Sequence, residues 1–206
     1  MGRRIIFATG NMGKMREIRE ILKDMDAKIL SMKEAGIEAD IVEDGVSFDE
    51  NAVIKAKAVA DLLLQNAGKT DGDIVLADDS GLEIDYLNGE PGIYSARYLG
   101  EDTSFEEKSR HLLERLADVP EEGRTARFVC AMAAVMPDGE VITTQGVIEG
   151  RISDQPQGDN GFGYDPIFYV PEYGCTTAQM SEEQKNQVSH RYRALEALKT
   201  ELEKRI

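Results

Sequence analysis

The feature that most constrains the fold is an alternation of short apolar runs with segments of helical periodicity, and it starts in the first residues. An apolar run at 4–8 ends at a polar, glycine-bearing loop at 9–14, and apolar residues then recur at helical spacing from Met15 to Met25. This order predicts a strand, a tight loop and a helix. Such a pattern favours a mixed α/β fold.

The same alternation continues through the middle of the chain. Ser47 followed by Glu50 has the spacing of a capping box and predicts a helix that runs to Gly68. Residues 73–77 have the composition of a buried strand, and Ser104 has the position of the N-cap of a third helix. Strands and helices thus alternate, which is typical of α/β folds.

The last third of the chain is predicted to add a hairpin and more helix. Two predicted strands over 126–145 flank a turn tripeptide at 137–139, and a glycine-rich loop at 158–163 follows. Helices are predicted over 181–205. Because the chain contains no internal repeat, low-complexity segment or linker, residues 1–206 are predicted to form a single mixed α/β domain.

The length and composition of the chain predict one core and a cytoplasmic protein. The 206 residues, with 41% hydrophobic content, are enough for one substantial core. No run of roughly 18 apolar residues could span a membrane, and the first residues lead into a short strand rather than a signal segment. Two cysteines, Cys130 and Cys175, favour reduced thiols over a disulfide framework or a zinc site.

The net charge of −15 argues against a nucleic acid as partner, because nucleic-acid binding needs a basic surface. The charge is uneven: residues 1–30 hold seven Lys and Arg against four Asp and Glu, residues 181–206 hold six against five, and the residues between hold eleven against thirty. A small anionic ligand could therefore bind where the two basic ends meet, with a cation held by the acidic middle. The alternative is an acidic surface that is only solvated.

The loop at 9–14 has the features of a phosphate site. It lies between a predicted strand and a predicted helix, where backbone N–H groups and the helix dipole favour an anion, and Lys14 adds a full charge. It is not a Walker loop, because Met15 stands where that motif needs Ser or Thr, and it is not a dinucleotide fingerprint. An ordinary strand-to-helix turn is the alternative.

Two adjacent carboxylates, Asp78 and Asp79, follow the predicted strand at 73–77. Because strand side chains alternate between faces, one of the two is expected to face a cleft. Carboxylates at the carboxyl end of a strand suit a hard cation such as Mg²⁺, and a chain with two His offers little for a softer metal. The alternative is an Asx turn at a strand end. Glu43 and Glu50 are further sources of carboxylate.

Two segments in the last quarter of the chain could recognise a planar base. The glycine-rich loop at 161–166 carries two aromatic residues, and a base could stack on one of them. Lys185, Ser189 and Arg191 are expected near one helix face or its end, where Lys and Arg offer donors that prefer carbonyl groups. The alternatives are an aromatic-anchored loop and a basic helix terminus that complements the helix dipole.

Taken in order, these segments resemble a single known family. Six motifs that span most of the chain carry the resemblance: ATGNMGK at 8–14, SFDENA at 47–52, ADDSGL at 77–82, PGIYSAR at 91–97, GFGYDP at 161–166 and KNQVSHR at 185–191. They resemble the inosine/xanthosine triphosphate pyrophosphatases, known as the Ham1 or non-standard purine nucleotide pyrophosphatase family. Because six motifs occur in the same order, agreement by chance is very improbable.

The resemblance implies a fold and an activity. The implied fold is a long mixed β-sheet flanked by helices in two lobes, with a central substrate cleft, in a chain that forms a homodimer. The implied activity is Mg²⁺-dependent hydrolysis of ITP, dITP and XTP to the monophosphate and pyrophosphate, which cleanses the nucleotide pool. Small purine nucleoside triphosphates are the implied partners, rather than nucleic acids or membranes.

The resemblance also implies roles for individual residues. Asp79 would bind Mg²⁺ and accept the proton of water, and Ser80 would touch the substrate. Glu43 would supply the other metal-linked carboxylate, with Glu50 as the fallback. The triphosphate would be held by Thr9, Gly10, Asn11, Met12, Gly13 and Lys14. The base would be received by Phe162, Gly163, Tyr164 and Asp165, and its 6-oxo edge would be read by Lys185, His190 and Arg191.

Gln179 departs from the family pattern. A Thr-x-Ala-Glu-Met segment would normally supply a carboxylate at this position, and here the residue is an amide. We therefore interpret the position as supporting rather than essential.

Three other functions compete with the one that the family implies. A Maf-type nucleotide pyrophosphatase would prefer modified pyrimidine or other nucleotides, and the Ser-His-Arg motif argues against it. A non-hydrolytic purine nucleotide sensor would not need the intact pair Asp78 and Asp79. A nicotinamide-dependent oxidoreductase would need a glycine fingerprint that the sequence lacks.

Overall fold

Two compact units make up the protein. The computed structural model describes residues 3–66 and 72–205. The first unit takes in the residues up to Asp79, Cys130–Gly146 and the residues from Arg191 onward, and the second takes in Ser80–Val129 and Val147–His190. Each unit is therefore built from stretches of chain that lie far apart in the sequence.

The described strands form one mixed sheet. They are β1 (Arg3–Phe7), β2 (Ala27–Ser31), β3 (Ile74–Ile84), β4 (Thr125–Val135), β5 (Val141–Ile152), β6 (Phe168–Val170) and β7 (Cys175–Thr176). Their order is β2-β1-β3-β4-β5-β6-β7. β1 is parallel to β2 and β3, with Ile5 opposite Ile29 and Ile74, whereas β6 is antiparallel to β5 and β7. This arrangement confirms the predicted mixed sheet.

Helices occur between the strands and after the last strand in the described chain. They are α1 (Met12–Ile21), α2 (Phe48–Asn66), α3 (Phe105–Arg115), α4 (Glu182–Val188) and α5 (His190–Glu203). The predicted end of the second helix, at Gly68, lies outside the described residues. Among residues 3–66 and 72–205, no helix combines the length and the apolar character needed to cross a membrane.

Side-chain caps determine where two of the helices begin. Ser47 Oγ accepts from the N–H of Glu50 at 3.2 Å, and Ser104 Oγ accepts from the N–H of Glu107 at 3.2 Å. The Glu50 carboxylate accepts from the N–H of Val46 at 2.9 Å, one residue earlier than in a standard capping box. Both predicted capping serines are therefore confirmed.

The final helical segment is interrupted at Ser189. Ser181 and Gln184 form a complete capping box that starts α4. Ser189 has an extended backbone, with φ of −65° and ψ of 154°, so α4 ends there and α5 begins with the next residue. The interruption places Lys185 and Arg191 on two different helices.

The hairpin predicted around residues 137–139 is present between β4 and β5. The N–H of Gly139 donates to the carbonyl of Met136 at 2.9 Å, and the N–H of Met136 donates to the carbonyl of Glu140 at 2.9 Å. Gly139 has φ of 90°, a conformation that favours glycine. The turn residues and their spacing therefore predicted this connection correctly.

Each unit has its own apolar core. In the first unit, apolar faces of α1 and α5 pack with strand residues, and the buried set includes Phe7, Met15, Ile18, Leu76, Met132, Leu195 and Leu198. In the second unit, the buried set includes Leu82, Leu112, Leu116, Phe128, Ile152, Phe168 and Met180. Each core contains residues that lie nearly a hundred positions or more apart in the sequence, in keeping with the discontinuous chain of each unit.

We expect Leu195→Ala to lower the free energy of unfolding by about 2–5 kcal/mol, because it removes a fully buried side chain from the core of the first unit. The control is Leu64→Ala, which truncates the same side chain at a position that is 58% exposed. It should change the free energy of unfolding by less than about 0.5 kcal/mol. Urea denaturation followed by circular dichroism measures both, and equal losses would contradict this description of the core.

Candidate functional site

The loop between β1 and α1 presents the N-terminus of a helix. Asn11 is the N-cap of α1, and its side-chain oxygen accepts from the N–H groups of Gly13 and Lys14 at 2.8 and 3.2 Å. Thr9 Oγ1 accepts from the N–H of Asn11 at 3.1 Å, and Met12 is 69% exposed. The loop is thus exposed at the positive end of a helix dipole, which suits an anion.

A buried carboxylate, Asp78, contacts two cationic side chains. Lys14 Nζ donates to Asp78 Oδ1 at 3.0 Å, and Arg191 donates to Asp78 Oδ2 from Nε and Nη2, each at 3.3 Å. Burial by itself raises the pKa of Asp78, but the charges of Lys14 and Arg191 outweigh it and hold that pKa well below its usual range. Asp78 is therefore a fixed anion rather than a base for proton transfer.

Arg191 is almost completely buried in the first unit. In addition to its bonds to Asp78, its Nη1 donates to Glu17 of α1. Burial disfavours the charged guanidinium, but the two carboxylates outweigh this effect and raise the pKa of Arg191. The structure groups Arg191 with Asp78, whereas Lys185 and His190 belong to the second unit. These contacts give Arg191 a part in holding Asp78, and its role at the base edge stays a prediction.

The next residue, Asp79, has a different set of partners, as expected from the alternation of side chains along β3. Asn51 Nδ2 donates to Asp79 Oδ2 at 3.1 Å, and Lys55 Nζ lies 3.4 Å from Asp79 Oδ1. Burial raises the pKa of Asp79 above its usual value, although Lys55 and Asn51 act in the opposite direction. Asp79 is the less compensated of the two carboxylates, which suits a proton acceptor or a cation ligand.

Lys55 joins Asp79 to the predicted metal carboxylate, Glu43. Its Nζ donates to Glu43 Oε2 at 3.0 Å. Asn51 and Lys55 lie four residues apart on α2, so they project from the same face of that helix. Sequence analysis missed both as site residues. Their i, i+4 spacing, just after the capping serine of α2, is the signal that could have identified them.

A glycine lets the loop that carries Glu43 approach α2. The N–H of Gly45 donates to Asn51 Oδ1 at 2.9 Å, and a Cβ at position 45 would lie 2.7 Å from that oxygen. Asn51 therefore accepts from this loop and donates to Asp79. A single amide side chain connects the Glu43 loop to the strand that carries Asp79.

The oxygen ligands of Glu43 and Asp79 fit a hard divalent cation. Both carboxylates contact the one ammonium of Lys55, and burial raises the pKa of Asp79. No group of three or more His, Cys, Asp or Glu side chains suited to a metal occurs within residues 3–66 and 72–205. Mg²⁺ commonly takes one or two carboxylates and completes its shell with water and phosphate oxygens, so two carboxylates suffice.

In the second unit, Asp165 organises the glycine-rich loop. Its Oδ2 accepts from the N–H of Phe162 at 2.8 Å and from Lys185 Nζ at 2.7 Å, and its Oδ1 accepts from Thr177 Oγ1 at 2.8 Å. Gly161 has φ of 79°, and a Cβ there would lie 2.1 Å from Asp165 Oδ2. The loop therefore requires glycine at this position. The structure thus brings together Phe162 and Asp165, which were predicted to receive the base, and Lys185, which was predicted to read its 6-oxo edge.

The two aromatic residues of this loop differ in exposure. Phe162 is 37% exposed, and Lys185 Nζ lies 4.7 Å from the centroid of its ring. Tyr164 is buried, its hydroxyl donates to the carbonyl of Ser95 at 2.8 Å, and its ring meets Phe105 edge-on at 5.2 Å. Phe162 therefore offers a surface for stacking, whereas Tyr164 anchors the loop.

The structure also describes three further predicted site residues. His190 opens α5, and its ring stacks on Phe128 with the centroids 4.9 Å apart. Ser80 directly follows Asp79 within β3 and is partly buried. Gly163 has φ of 68°, so the loop turns there in a conformation that favours glycine.

Comparison with known proteins identifies the relatives of the chain. A sequence model described as the Ham1 family matches residues 5–201. The chain belongs to the Ham1 family. It is 50% identical to the dITP/XTP pyrophosphatase of Clostridium perfringens over 97% of each chain, and 46% identical to that of Caldanaerobacter subterraneus subsp. tengcongensis over 98% of each. The structure of the Staphylococcus aureus Ham1 protein matches with a TM-score of 0.85 at 42% identity, covering 99% of this chain and 100% of that one.

The structure also explains how this Ham1 chain accommodates Gln179. Gln179 Oε1 accepts from the N–H of Thr176 at 2.9 Å and lies 3.4 Å from Thr176 Oγ1. Both contacts need only an acceptor oxygen, which an amide supplies as well as a carboxylate does. The geometry supports the interpretation of this position as a supporting one.

The two adjacent aspartates of this Ham1 protein should differ in their effect on stability. We expect Asp78→Asn to lower the free energy of unfolding by about 3–5 kcal/mol, because it removes the buried negative charge that pairs with Lys14 and Arg191. Asp79→Asn, the same change one residue later, should alter it by less than about 1 kcal/mol, because burial already disfavours the charge of Asp79. Urea denaturation at neutral pH measures both, and equal losses would disprove the electrostatic difference.

Proposed function

We propose that this chain hydrolyses non-standard purine nucleoside triphosphates, such as ITP, dITP and XTP, to the monophosphate and pyrophosphate. The observation that carries the proposal is the pair of adjacent aspartates with separate partners: Asp78 is bound by Lys14 and Arg191, whereas Asp79 contacts Asn51 and Lys55. Lys55 also contacts Glu43. The two bacterial relatives are both named dITP/XTP pyrophosphatase, which supports the same activity. On this proposal residues 1–206 act as one functional domain.

The loop at 9–14 binds the triphosphate. Its backbone forms the start of α1, where N–H groups and the helix dipole favour phosphate oxygens. Lys14 keeps its ammonium in place through Asp78 at 3.0 Å and has further N–H donors for phosphate. Arg191 compensates Asp78 in turn, so the carboxylate does not cancel the attraction of the loop for an anion.

Glu43 and Asp79 are the residues that would hold Mg²⁺. When bound, the ion supplies positive charge that offsets the phosphates and orients them for in-line attack. Lys55 contacts both carboxylates and so keeps them close to one another. Glu50 is less suited to this role, because its carboxylate already accepts from the N–H of Val46 at the start of α2.

Asp79 accepts the proton of the attacking water. Burial raises its pKa, and a carboxylate with a raised pKa is a stronger base. The water oxygen forms the new bond to the phosphorus of the retained monophosphate, the bond from that phosphorus to the bridging oxygen breaks, and pyrophosphate leaves. No covalent enzyme intermediate is needed. Ser80, the next residue in β3, is proposed to contact the substrate.

Phe162 and Lys185 recognise the base. The exposed ring of Phe162 stacks on the purine, and Lys185, whose ammonium Asp165 holds at 2.7 Å, donates to the 6-oxo group. Adenine carries an amino group at that position and would leave the donor unpaired. Such a mismatch can lower catalytic efficiency by up to roughly 10⁴-fold. His190 and Arg191 stay predicted contributors at this edge, and the homodimer and the cytoplasmic location also stay predictions.

A nucleotide panel tests the proposed activity. We expect ITP, dITP and XTP, incubated with Mg²⁺, to release pyrophosphate at rates well above ATP, GTP or dUTP. Asp79→Asn should lose at least about 10²-fold in turnover, because a positioned general base contributes roughly 10²–10⁴-fold. Separate assays for pyrophosphate and orthophosphate give the readout. Preference for dUTP would favour a Maf-type enzyme, and tight ITP binding without turnover would favour a sensor; either result would overturn the proposal.

The choice between the two metal-linked carboxylates can be tested directly. We expect Glu43→Gln to raise the Mg²⁺ concentration for half-maximal ITP hydrolysis by about tenfold or more, because it removes a charged ligand. Glu50→Gln is the matched control, and it should leave the Mg²⁺ requirement unchanged, since Glu50 contacts the backbone at the start of α2. The reverse result would transfer the metal role to Glu50.

A further inference from the structure

A threonine outside the predicted site residues fixes the carboxylate of the glycine-rich loop. Thr177 directly follows β7 and is buried, with 3% of its surface exposed. Its Oγ1 donates to Asp165 Oδ1 at 2.8 Å and lies 3.2 Å from the carbonyl oxygen of Asp165. Its N–H donates to the carbonyl of Phe168 at 2.9 Å. The backbone of Thr177 is thus held by β6, and its hydroxyl is directed at Asp165.

The other oxygen of this carboxylate contacts the two residues proposed to recognise the base. Asp165 Oδ2 accepts from the N–H of Phe162 at 2.8 Å and from Lys185 Nζ at 2.7 Å. A carboxylate can rotate about its Cβ–Cγ bond, and that rotation would move Oδ2 away from both donors. The hydroxyl at Oδ1 opposes the rotation, because turning the group would break the bond to Thr177 as well.

The backbone at Gly161 packs closely against the Asp165 carboxylate, so the orientation of that carboxylate affects the position of the loop. A Cβ at Gly161 would lie 2.1 Å from Asp165 Oδ2, so the backbone of the loop is in direct contact with that oxygen. A turned carboxylate would therefore displace the loop as well as release Lys185. The ring of Phe162, which lies beside the Lys185 ammonium at 4.7 Å, would move with them.

We propose that Thr177 is a positioning residue for base recognition. Its hydroxyl sets the plane of the Asp165 carboxylate, which in turn sets the position of the Lys185 ammonium and of the Phe162 ring. The proposal rests on the proposed function, because it assigns Phe162 and Lys185 to the purine base. Thr177 itself does not touch the substrate, so its loss should weaken binding of the nucleotide and leave the chemical step intact.

The chain supplies a matched control one residue earlier. Thr176 is also buried, and its Oγ1 donates to the carbonyl of Gln157 at 2.7 Å. The change Thr176→Val therefore removes the same hydroxyl and a hydrogen bond of similar length from the same segment. The bond that it removes does not involve Asp165, so any effect confined to Thr177→Val comes through that carboxylate.

Steady-state hydrolysis of ITP separates positioning from stability. We expect Thr177→Val to raise KM for ITP by about tenfold, the size of one weakened hydrogen bond to a charged group, with kcat within about twofold of the wild type. Thr176→Val and Thr177→Val should lower Tm by similar amounts, but Thr176→Val should leave KM for ITP unchanged. Thr177→Ser, which restores the hydroxyl, should return KM to within about twofold of the wild type. If Thr177→Val does not fold, Thr177→Ala provides the same test.

Inorganic tripolyphosphate gives the second readout, because it carries the phosphate chain without a base. Its inhibition constant against ITP hydrolysis should be the same for Thr177→Val and the wild type. An unchanged KM for ITP in Thr177→Val would overturn the proposal, as would equal increases in the two threonine variants or weaker tripolyphosphate inhibition. Failure of the wild type to hydrolyse ITP would instead overturn the proposed function, so the two failures can be told apart.

Discussion

The contact on which the first unit most depends is the buried charge of Asp78 between Lys14 and Arg191. Three segments that are far apart in sequence, the start of α1, the middle of β3 and the start of α5, meet at this one carboxylate. Because an unpaired charge in a protein interior is costly, the three segments must be in place together. The strand then presents the next residue, Asp79, to other partners. One strand thus carries a compensated anion and a carboxylate with a raised pKa.

In the second unit, the Asp165 carboxylate also joins several segments, and it holds the glycine-rich loop in place. Its carboxylate accepts from a backbone N–H, a hydroxyl and an ammonium, so its hydrogen-bonding capacity is largely used within the protein. A carboxylate with these partners gives shape to a loop that has glycine at 161 and 163, while the buried ring of Tyr164 anchors the loop to the core. Polar contacts hold the part of the loop around Phe162, whose ring remains partly exposed.

The elements of this fold could be predicted from sequence because the signals are local. Helical spacing after the loop at 9–14, and the capping serines Ser47 and Ser104, act within a few residues. The partners of the site residues could not be predicted in the same way. Lys55 meets Asp79 across 24 positions and Arg191 meets Glu17 across 174, and neither separation leaves a periodic signal.

Proximity in sequence did not reveal how the residues of one motif divide between partners. Lys185, His190 and Arg191 stand close together in the chain, and a shared role at the base stays a prediction. The break at Ser189 separates the two helices, and the guanidinium of Arg191 contacts Asp78 and Glu17. These contacts are buried, and a motif of three polar residues carries no information about burial.

The amide of Asn51 places a strict chemical demand on α2. Its oxygen faces an N–H donor on the Glu43 loop, and its nitrogen faces an acceptor on Asp79. A side chain of this length must therefore present an acceptor at one end and a donor at the other. Aspartate has the same shape but would set one anion against another, and leucine would fill the space while leaving both partners unsatisfied. Asparagine is required at position 51 because one of its two terminal atoms must accept a hydrogen bond and the other must donate one. Side-chain size and helix propensity alone would not distinguish it from aspartate or leucine.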